Sequence, residues 1–147
     1  MRKTLLLLCA LLAGVSGAWA ENNYFLTTKT AVTSITSGNY YVIDGRDQVG
    51  SELHFLFDNG TKVTSNDPQD IPTDPAAVGK FVWQIVGNDV AGYTLRNLAT
   101  GNYMSLGNSN GSQISSSDTP QTNGIYFGDG DYATILNANG QAVDIGA

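Results

Sequence analysis

Residue types that could catalyse a reaction are scarce in this sequence. His54 is its only histidine and Cys9 its only cysteine. His54 alternates with apolar residues at positions 53–57, a pattern that predicts a strand residue facing solvent. Sites of the Ser-His-Asp, Cys-His and histidine-rich metal types are therefore excluded. The acidic residues mostly stand in Asn-, Gly- and Pro-rich turns, where Asp serves local backbone bonding. The sequence predicts a protein that is not an enzyme.

Two carboxylates stand close together in the turn at residues 128–131, where Asp129 and Asp131 are separated by one glycine. Oxygen-rich turns of this kind can hold calcium. The sequence has no Asp-x-Asp-x-Asp-Gly loop followed by a distant Glu, so a plain turn is the preferred interpretation. We predict no metal site and no cofactor.

The N-terminus has the three parts of a secretory signal. Arg2 and Lys3 are followed by an apolar run at residues 4–15 and by the small-x-small motif at residues 18–20. The run is too short to span a bilayer as a retained anchor. We predict a signal peptide at residues 1–20 and a product that is secreted, periplasmic or held at the cell surface. Cys9 leaves with the peptide, and export without disulfides indicates a bacterial envelope or exterior.

The charge balance limits the classes of partner. The sequence has 7 basic and 13 acidic residues and a net charge of −6. Cleavage after residue 20 removes two basic residues, which leaves a net charge of −8. Binding to nucleic acid or to anionic membranes depends on Lys and Arg. We therefore expect neither partner, and no membrane association after cleavage.

The elements that must position any site are short strands. Runs of β-branched and aromatic residues alternate with Gly, Asn and Asp clusters, which is an all-β pattern. After a lead-in at residues 21–34, one domain is predicted at residues 35–147. The predicted strands are residues 40–43, 53–57, 61–65, 81–86, 93–97, 103–106, 112–115 and 125–127. The stretch 66–78 contains three prolines and is predicted to be a loop, either an insertion or a functional loop.

One hairpin unit recurs along the chain. Glycines follow Tyr93 at offsets of 8 and 14 residues, and they follow Tyr132 at the same offsets. Tyr41 begins an earlier and less regular copy. Since each glycine stands where a tight turn follows a strand, the match is one of turn geometry. The sequence predicts three repeats of about 40 residues.

The central phrases of these repeats resemble the β-trefoil of the ricin-B-type lectin superfamily. The resemblance is carried by Trp83-Gln84-Ile85, by residues 93–97 and 100–104, and by residues 140–145. It covers residues 35–147 and implies a β-trefoil-like fold. The Gln-x-Trp signature and the disulfides of that family are absent. A β-sandwich is the alternative fold, and it fits the composition but not the repeat offsets.

The third repeat is incomplete, because it stops after its second strand. A trefoil barrel closes with strands from all three copies. Three explanations remain open: the chain is a fragment of a longer protein, residues 21–34 fill the gap, or the barrel is open. The fragment is preferred.

The resemblance implies a non-catalytic module that binds glycans, with Asp144 as the carbohydrate-binding residue. In such lectins an Asp after the first hairpin of a copy accepts hydrogen bonds from sugar hydroxyls. The second copy has Ser105 at the equivalent position, and its side chain is shorter and uncharged. The alternative for Asp144 is a plain turn residue ahead of Gly146.

A second functional class remains possible for the same fold. A protein-binding trefoil, such as a protease inhibitor or a cell-surface interaction domain, would present an exposed and rigid loop. Residues 66–78 are the candidate for that loop. A third possibility is a scaffold without a ligand of its own.

Overall fold

The computed structural model describes residues 32–43, 55–65, 71–72, 74–107, 113–127 and 133–140. Within these ranges the protein is built from short antiparallel strands, which confirms the all-β prediction. The strands are β1 (Tyr40–Tyr41), β2 (Leu56–Asp58), β3 (Val63–Ser65), β4 (Trp83–Asn88), β5 (Gly92–Asn97), β6 (Tyr103–Ser105), β7 (Ser115–Ser117), β8 (Gly124–Phe127) and β9 (Ala133–Leu136). No helix in the described ranges has the length and apolarity needed to cross a membrane.

The predicted loop 66–78 was wrong at its C-terminal end, where a short helix α1 (Pro75–Val78) forms. Asp74 precedes it, and the carbonyl of Asp74 accepts the N–H groups of Ala77 and Val78 at 3.0 and 2.8 Å. Proline suits the first helical position because its missing N–H has no helical partner there. The same residue that argued against a strand therefore begins a helix.

Two predicted strands are shifted by two or more residues at both ends. The strand expected at residues 81–86 begins at Trp83 and ends at Asn88, because a 3-10 turn (Gly79–Phe81) follows α1 directly. The strand expected at residues 112–115 is β7, so part of the loop predicted after it is strand as well. The serines of β7 have low strand propensity, and pairing with β6 determines their conformation.

The strands form one larger sheet and two hairpins. The five-stranded sheet has the order β1-β4-β5-β6-β7, and β2-β3 and β8-β9 form separate pairs. The β2-β3 hairpin joins the two edges of the larger sheet. Leu56 N–H donates to the Ile43 carbonyl just after β1 at 2.9 Å, and Val63 N–H donates to the Ile114 carbonyl just before β7 at 2.9 Å. Backbone hydrogen bonds thus run in a closed ring through seven strands.

Three kinds of strand pairing occur twice along the chain. The hairpin β2-β3 has a counterpart in β6-β7, and β4-β5 has one in β8-β9. The pairing of β1 with β4 has a counterpart between β5 and β8, where Tyr93 and Asn123 exchange backbone hydrogen bonds of 2.7 and 2.8 Å. Of the three repeat tyrosines, Tyr41 and Tyr93 are both 6% exposed in one core cluster. Tyr132 lies outside the described residues.

The main core lies on the inner face of the sheet and follows the strand alternation. Its buried residues are Tyr41, Leu56, Val63, Trp83, Ile85, Tyr93, Leu95, Met104 and Leu106. Trp83 is fully buried, and its indole Nε1–H donates to the Leu56 carbonyl at 3.3 Å. Burial of each large apolar side chain contributes roughly 1.5–3 kcal/mol.

A second core cluster covers part of the opposite face. It consists of Phe55, Ile71, Val78, Phe81 and Val82. Tyr40, Val42 and Leu98 pack against it while remaining partly exposed. Tyr40 neighbours the inward-facing Tyr41, so the part of this cluster around Tyr40 lies on the outer side of the sheet.

Candidate functional site

Most of the predicted site residues lie outside the described ranges. This holds for Asp144, for His54 and for the turn at 128–131. Ser105, the counterpart of Asp144 in the second copy, is described. It is half-buried in β6 and pairs with Ser115 of β7.

Four polar or aromatic residues lie in one line across the outer face of the sheet. Tyr40 pairs with Gln84, Gln84 with Arg96, and Arg96 with Tyr103, each directly opposite its neighbour. Directly opposed residues of antiparallel strands point to the same face. We call Tyr40, Gln84, Arg96 and Tyr103 the outer row.

Burial of the flanking residues fixes the direction of the outer row. Each of its members adjoins a buried core residue: Tyr41, Trp83, Leu95 and Met104 are at most 6% exposed. Because side chains alternate along a strand, the outer row faces away from the core. Neighbouring strands are about 4.8 Å apart, so its three steps cover about 14 Å.

Arg96 is exposed, yet contacts hold its side chain in place. Its Nε donates to the Gly101 carbonyl at 2.9 Å, and its guanidinium carbon lies 5.8 Å from the centre of the Tyr103 ring. A cation over an aromatic face is stabilised by the ring quadrupole. Its two terminal nitrogens have no partner among the described residues. The outer row therefore presents an oriented pair of donor nitrogens.

Gln84 provides an acceptor next to these donors. Its Nε2 donates to the Gly38 carbonyl at 3.1 Å. This bond fixes the amide, and its Oε1 has no partner in the described part of the chain. The row thus alternates an aromatic ring, an amide oxygen, a guanidinium and a second aromatic ring.

A shallow cleft opens along the outer row beside Leu98, which packs against the second cluster. It has a volume of about 160 Å³ and is lined by Tyr40, Gln84, Arg96, Asn97, Leu98 and Gly101. Arg96 is the only charged residue in this lining. Clefts for drug-sized ligands have about 300–1,000 Å³. This one has room for a single ring or a small group.

Asn97 is one of the residues that line the cleft, although its side chain is buried. Its Nδ2 donates to the Lys80 carbonyl at 2.7 Å, and its Oδ1 accepts the N–H groups of Ala99 and Thr100 at 3.0 and 3.1 Å. It is 1% exposed. Asn97 therefore connects the turn that carries Gly101 to the 3-10 turn before β4, and this fixes the carbonyl that holds Arg96.

The chemistry available at the outer row is that of binding. It contains no pair of a nucleophile and a base and no pair of carboxylates. In the part of the chain that the structure describes, no three His, Cys, Asp or Glu side chains group together. The row offers donors, an acceptor and ring faces.

The sequence contained a partial signal for this site. Gln84 stands between the apolar residues Trp83 and Ile85, and Arg96 follows the apolar Leu95. The short turn between β4 and β5 sets Gln84 and Arg96 opposite each other. Tyr40 lies 44 residues before Gln84, and only the fold pairs them.

No protein-family model, curated protein or solved structure matches this chain.

Proposed function

We propose that this protein is an exported, non-catalytic module that binds carbohydrate, and that the outer row is its binding surface. The observation that carries the proposal is the register Tyr40–Gln84–Arg96–Tyr103, which lines up two aromatic rings, an amide and a guanidinium on the outer face of the sheet. Sugar recognition needs ring faces for C–H surfaces together with hydrogen-bond donors and acceptors for hydroxyl groups.

The side chains of the outer row are oriented before a ligand arrives. Gln84 is bonded to the Gly38 carbonyl and Arg96 to the Gly101 carbonyl, while Tyr103 lies against the guanidinium. A surface whose rotamers are already fixed loses less entropy on binding than a mobile one. This is an advantage for neutral sugars, which offer no large charge or apolar area.

A β-trefoil-like arrangement is part of the proposal. The support for it is that three strand pairings occur twice. The first strand of a copy pairs with the fourth (β1-β4 and β5-β8), and the second pairs with the third (β2-β3 and β6-β7). The fourth pairs with the first strand of the next copy (β4-β5 and β8-β9). Gly101 and Gly140 stand at the same repeat offset, and both have a φ of +73°. The ricin-B-like interpretation of Asp144 as a further sugar ligand belongs to the same proposal.

Protein binding is the second candidate, and one observation favours it. Val90 at the tip of the β4-β5 hairpin is 99% exposed, and Val86 on the same hairpin is 45% exposed. Of the candidate loop at residues 66–78, positions 66–70 and 73 lie outside the described residues, and Val78 at its end is fully buried in the second core cluster.

A glycan array followed by calorimetry on the purified chain tests the proposal. We expect Gln84→Ala and Tyr103→Ala to weaken binding of the best glycan at least about tenfold, since each removes a positioned contact. Tyr126→Ala is the matched control, because Tyr126 is a 65% exposed tyrosine outside the outer row. Melting curves must show that the variants are folded.

Two results would count against this function. One is a wild-type chain that binds no glycan on the array. The other is equal loss of binding in Tyr126→Ala and in the two row variants. Capture of a protein partner that Val90→Asp abolishes would favour the second candidate. N-terminal sequencing of exported protein tests cleavage after residue 20.

A further inference from the structure

We infer that the glycan bound at the outer row is acidic and that Arg96 binds its carboxylate group. This inference rests on the proposed carbohydrate-binding function and adds the chemical class of the ligand. Three observations carry it: the fixed orientation of the guanidinium, the absence of carboxylates in the cleft lining, and the isolation of this charge in the row.

The guanidinium of Arg96 is oriented with its terminal nitrogens available. Nε is bonded to the Gly101 carbonyl, and the Tyr103 ring supports the group from one side. The terminal nitrogens make no hydrogen bond or ion pair within the described ranges. Two parallel N–H donors on a planar fork match the two oxygens of a carboxylate.

In the part of the chain that the structure describes, no acidic side chain is paired with this cation. The six residues that line the cleft include no carboxylate, and neither does the outer row. The chain as a whole has 13 acidic and 7 basic residues. An exposed arginine without an acidic neighbour creates a local positive potential in a molecule that is negative as a whole.

The single charge also limits how acidic the ligand can be. Arg96 is the only charged residue along about 14 Å of the row, and Tyr40 and Gln84 suit uncharged rings. A polymer with a carboxylate on every ring would place carboxylates against these neutral residues. The net charge of −6 would also repel it. The geometry thus fits one uronic acid flanked by neutral sugars.

The test is a panel of oligosaccharides with one uronic acid each, every one paired with its carboxyl-reduced counterpart. A fully acidic oligogalacturonate is added for comparison. Binding to the purified wild-type chain is measured by calorimetry. We expect the acid forms to bind about tenfold or more tightly than the reduced forms. We also expect them to bind more tightly than the oligogalacturonate.

Two variants of Arg96 separate its charge from its shape. Arg96→Gln removes the charge, and we expect the acid and reduced forms then to bind equally. Arg96→Lys keeps the charge without the planar fork, and we expect an intermediate preference. Lys62→Gln is the charge-matched control. Lys62 is exposed and bridges to Ser115, outside the outer row, so the preference should be unchanged.

The outcomes distinguish this inference from the function on which it rests. Equal binding of acid and reduced forms by the wild type would overturn the inference and leave carbohydrate binding intact. A preference that survives in Arg96→Gln would overturn the role of Arg96. Binding of no oligosaccharide on the panel or the array would overturn both proposals.

Discussion

The carboxylate of Asp58 accepts a hydrogen bond from the hydroxyl of Ser116, 2.9 Å away and 58 residues further along the chain. The Thr100 hydroxyl donates to the same carboxylate oxygen, and the Gly60 N–H donates to the other oxygen at 2.7 Å. Asp58 is fully buried. One side chain thus connects the β2-β3 turn, the turn after β5 and strand β7.

Asp58→Ala should strongly destabilise the fold. The change leaves the partly buried hydroxyls of Thr100 and Ser116 without this acceptor, which costs about 2–4 kcal/mol in the free energy of unfolding. Urea unfolding measures this loss. Asp118→Ala is the control, since Asp118 is exposed and should change stability by less than about 0.5 kcal/mol. Equal stability of both variants would show that the Asp58 contacts contribute little.

Gly101→Ala should lower both stability and glycan binding. A φ of +73° costs a non-glycine residue about 1–2 kcal/mol, and the new Cβ would lie 3.4 Å from Nη2 of Arg96. Gly140→Ala is the matched control, because Gly140 has the same φ but open space around it. We expect similar losses of stability by chemical denaturation but weaker binding only for Gly101→Ala. Equal glycan binding by the two variants would show that Gly101 does not contribute to the site.

Tyr93 should make stability sensitive to alkaline pH. The hydrogen bond from its hydroxyl to Asp89 at 2.7 Å, together with burial and the nearby negative charge, raises its pKa above the usual 10.0. The folded state then holds the proton more tightly than the unfolded state. The stabilisation is complete below about pH 10 and is lost as pH rises through the folded pKa.

Tyr93→Phe checks this prediction in melts between about pH 8 and pH 11, a range that spans the ordinary tyrosine pKa of about 10. We expect the difference in melting temperature between wild type and variant to shrink above about pH 10. A constant offset for Tyr93→Phe would contradict the assignment.

Trp83→Phe should destabilise the main core and remove a fluorescence signal. The change leaves a void and takes away the indole donor to the Leu56 carbonyl, a loss of about 1–3 kcal/mol. The sequence has two tryptophans, and cleavage after residue 20 removes the other. In cleaved protein, emission should therefore come from a buried indole and shift to the red on unfolding. Emission typical of exposed indole in the folded state would contradict this burial.

Local sequence patterns predicted the strands better than the contacts between them. The alternation in residues 93–97 gave β5 within one residue, because one face of that strand is buried. Phe81 looked like a strand residue, but the helix before it continues into a 3-10 turn. Asp58 was expected as a turn residue ahead of Asn59 and Gly60. Its burial depends on segments more than 40 residues away, which no local pattern contains.

Only part of the candidate site could be predicted from the sequence. Asp144 was proposed from a resemblance and remains a proposal. Gln84 and Arg96 could have been paired from the turn between their strands. Tyr40 can be assigned to the row only when its long-range register with β4 is known, and Tyr103 only when the second hairpin turn is known. The whole row can therefore be recognised only when all four strands are aligned.

The position of the β4-β5 hairpin has a consequence for how the chain loses its structure. β4 pairs with β1 and so belongs to a first unit, strands β1–β4. β5 pairs with Asn123, just before β8, and so belongs to a second unit, strands β5–β8. Unfolding of either unit breaks the β4-β5 hairpin that the two units share. The two should therefore unfold together in one cooperative transition and not one after the other. A nick at its fully exposed tip, Val90, would leave two pieces that are still joined by the pairing of β4 with β5 and by the bond between Val63 and Ile114.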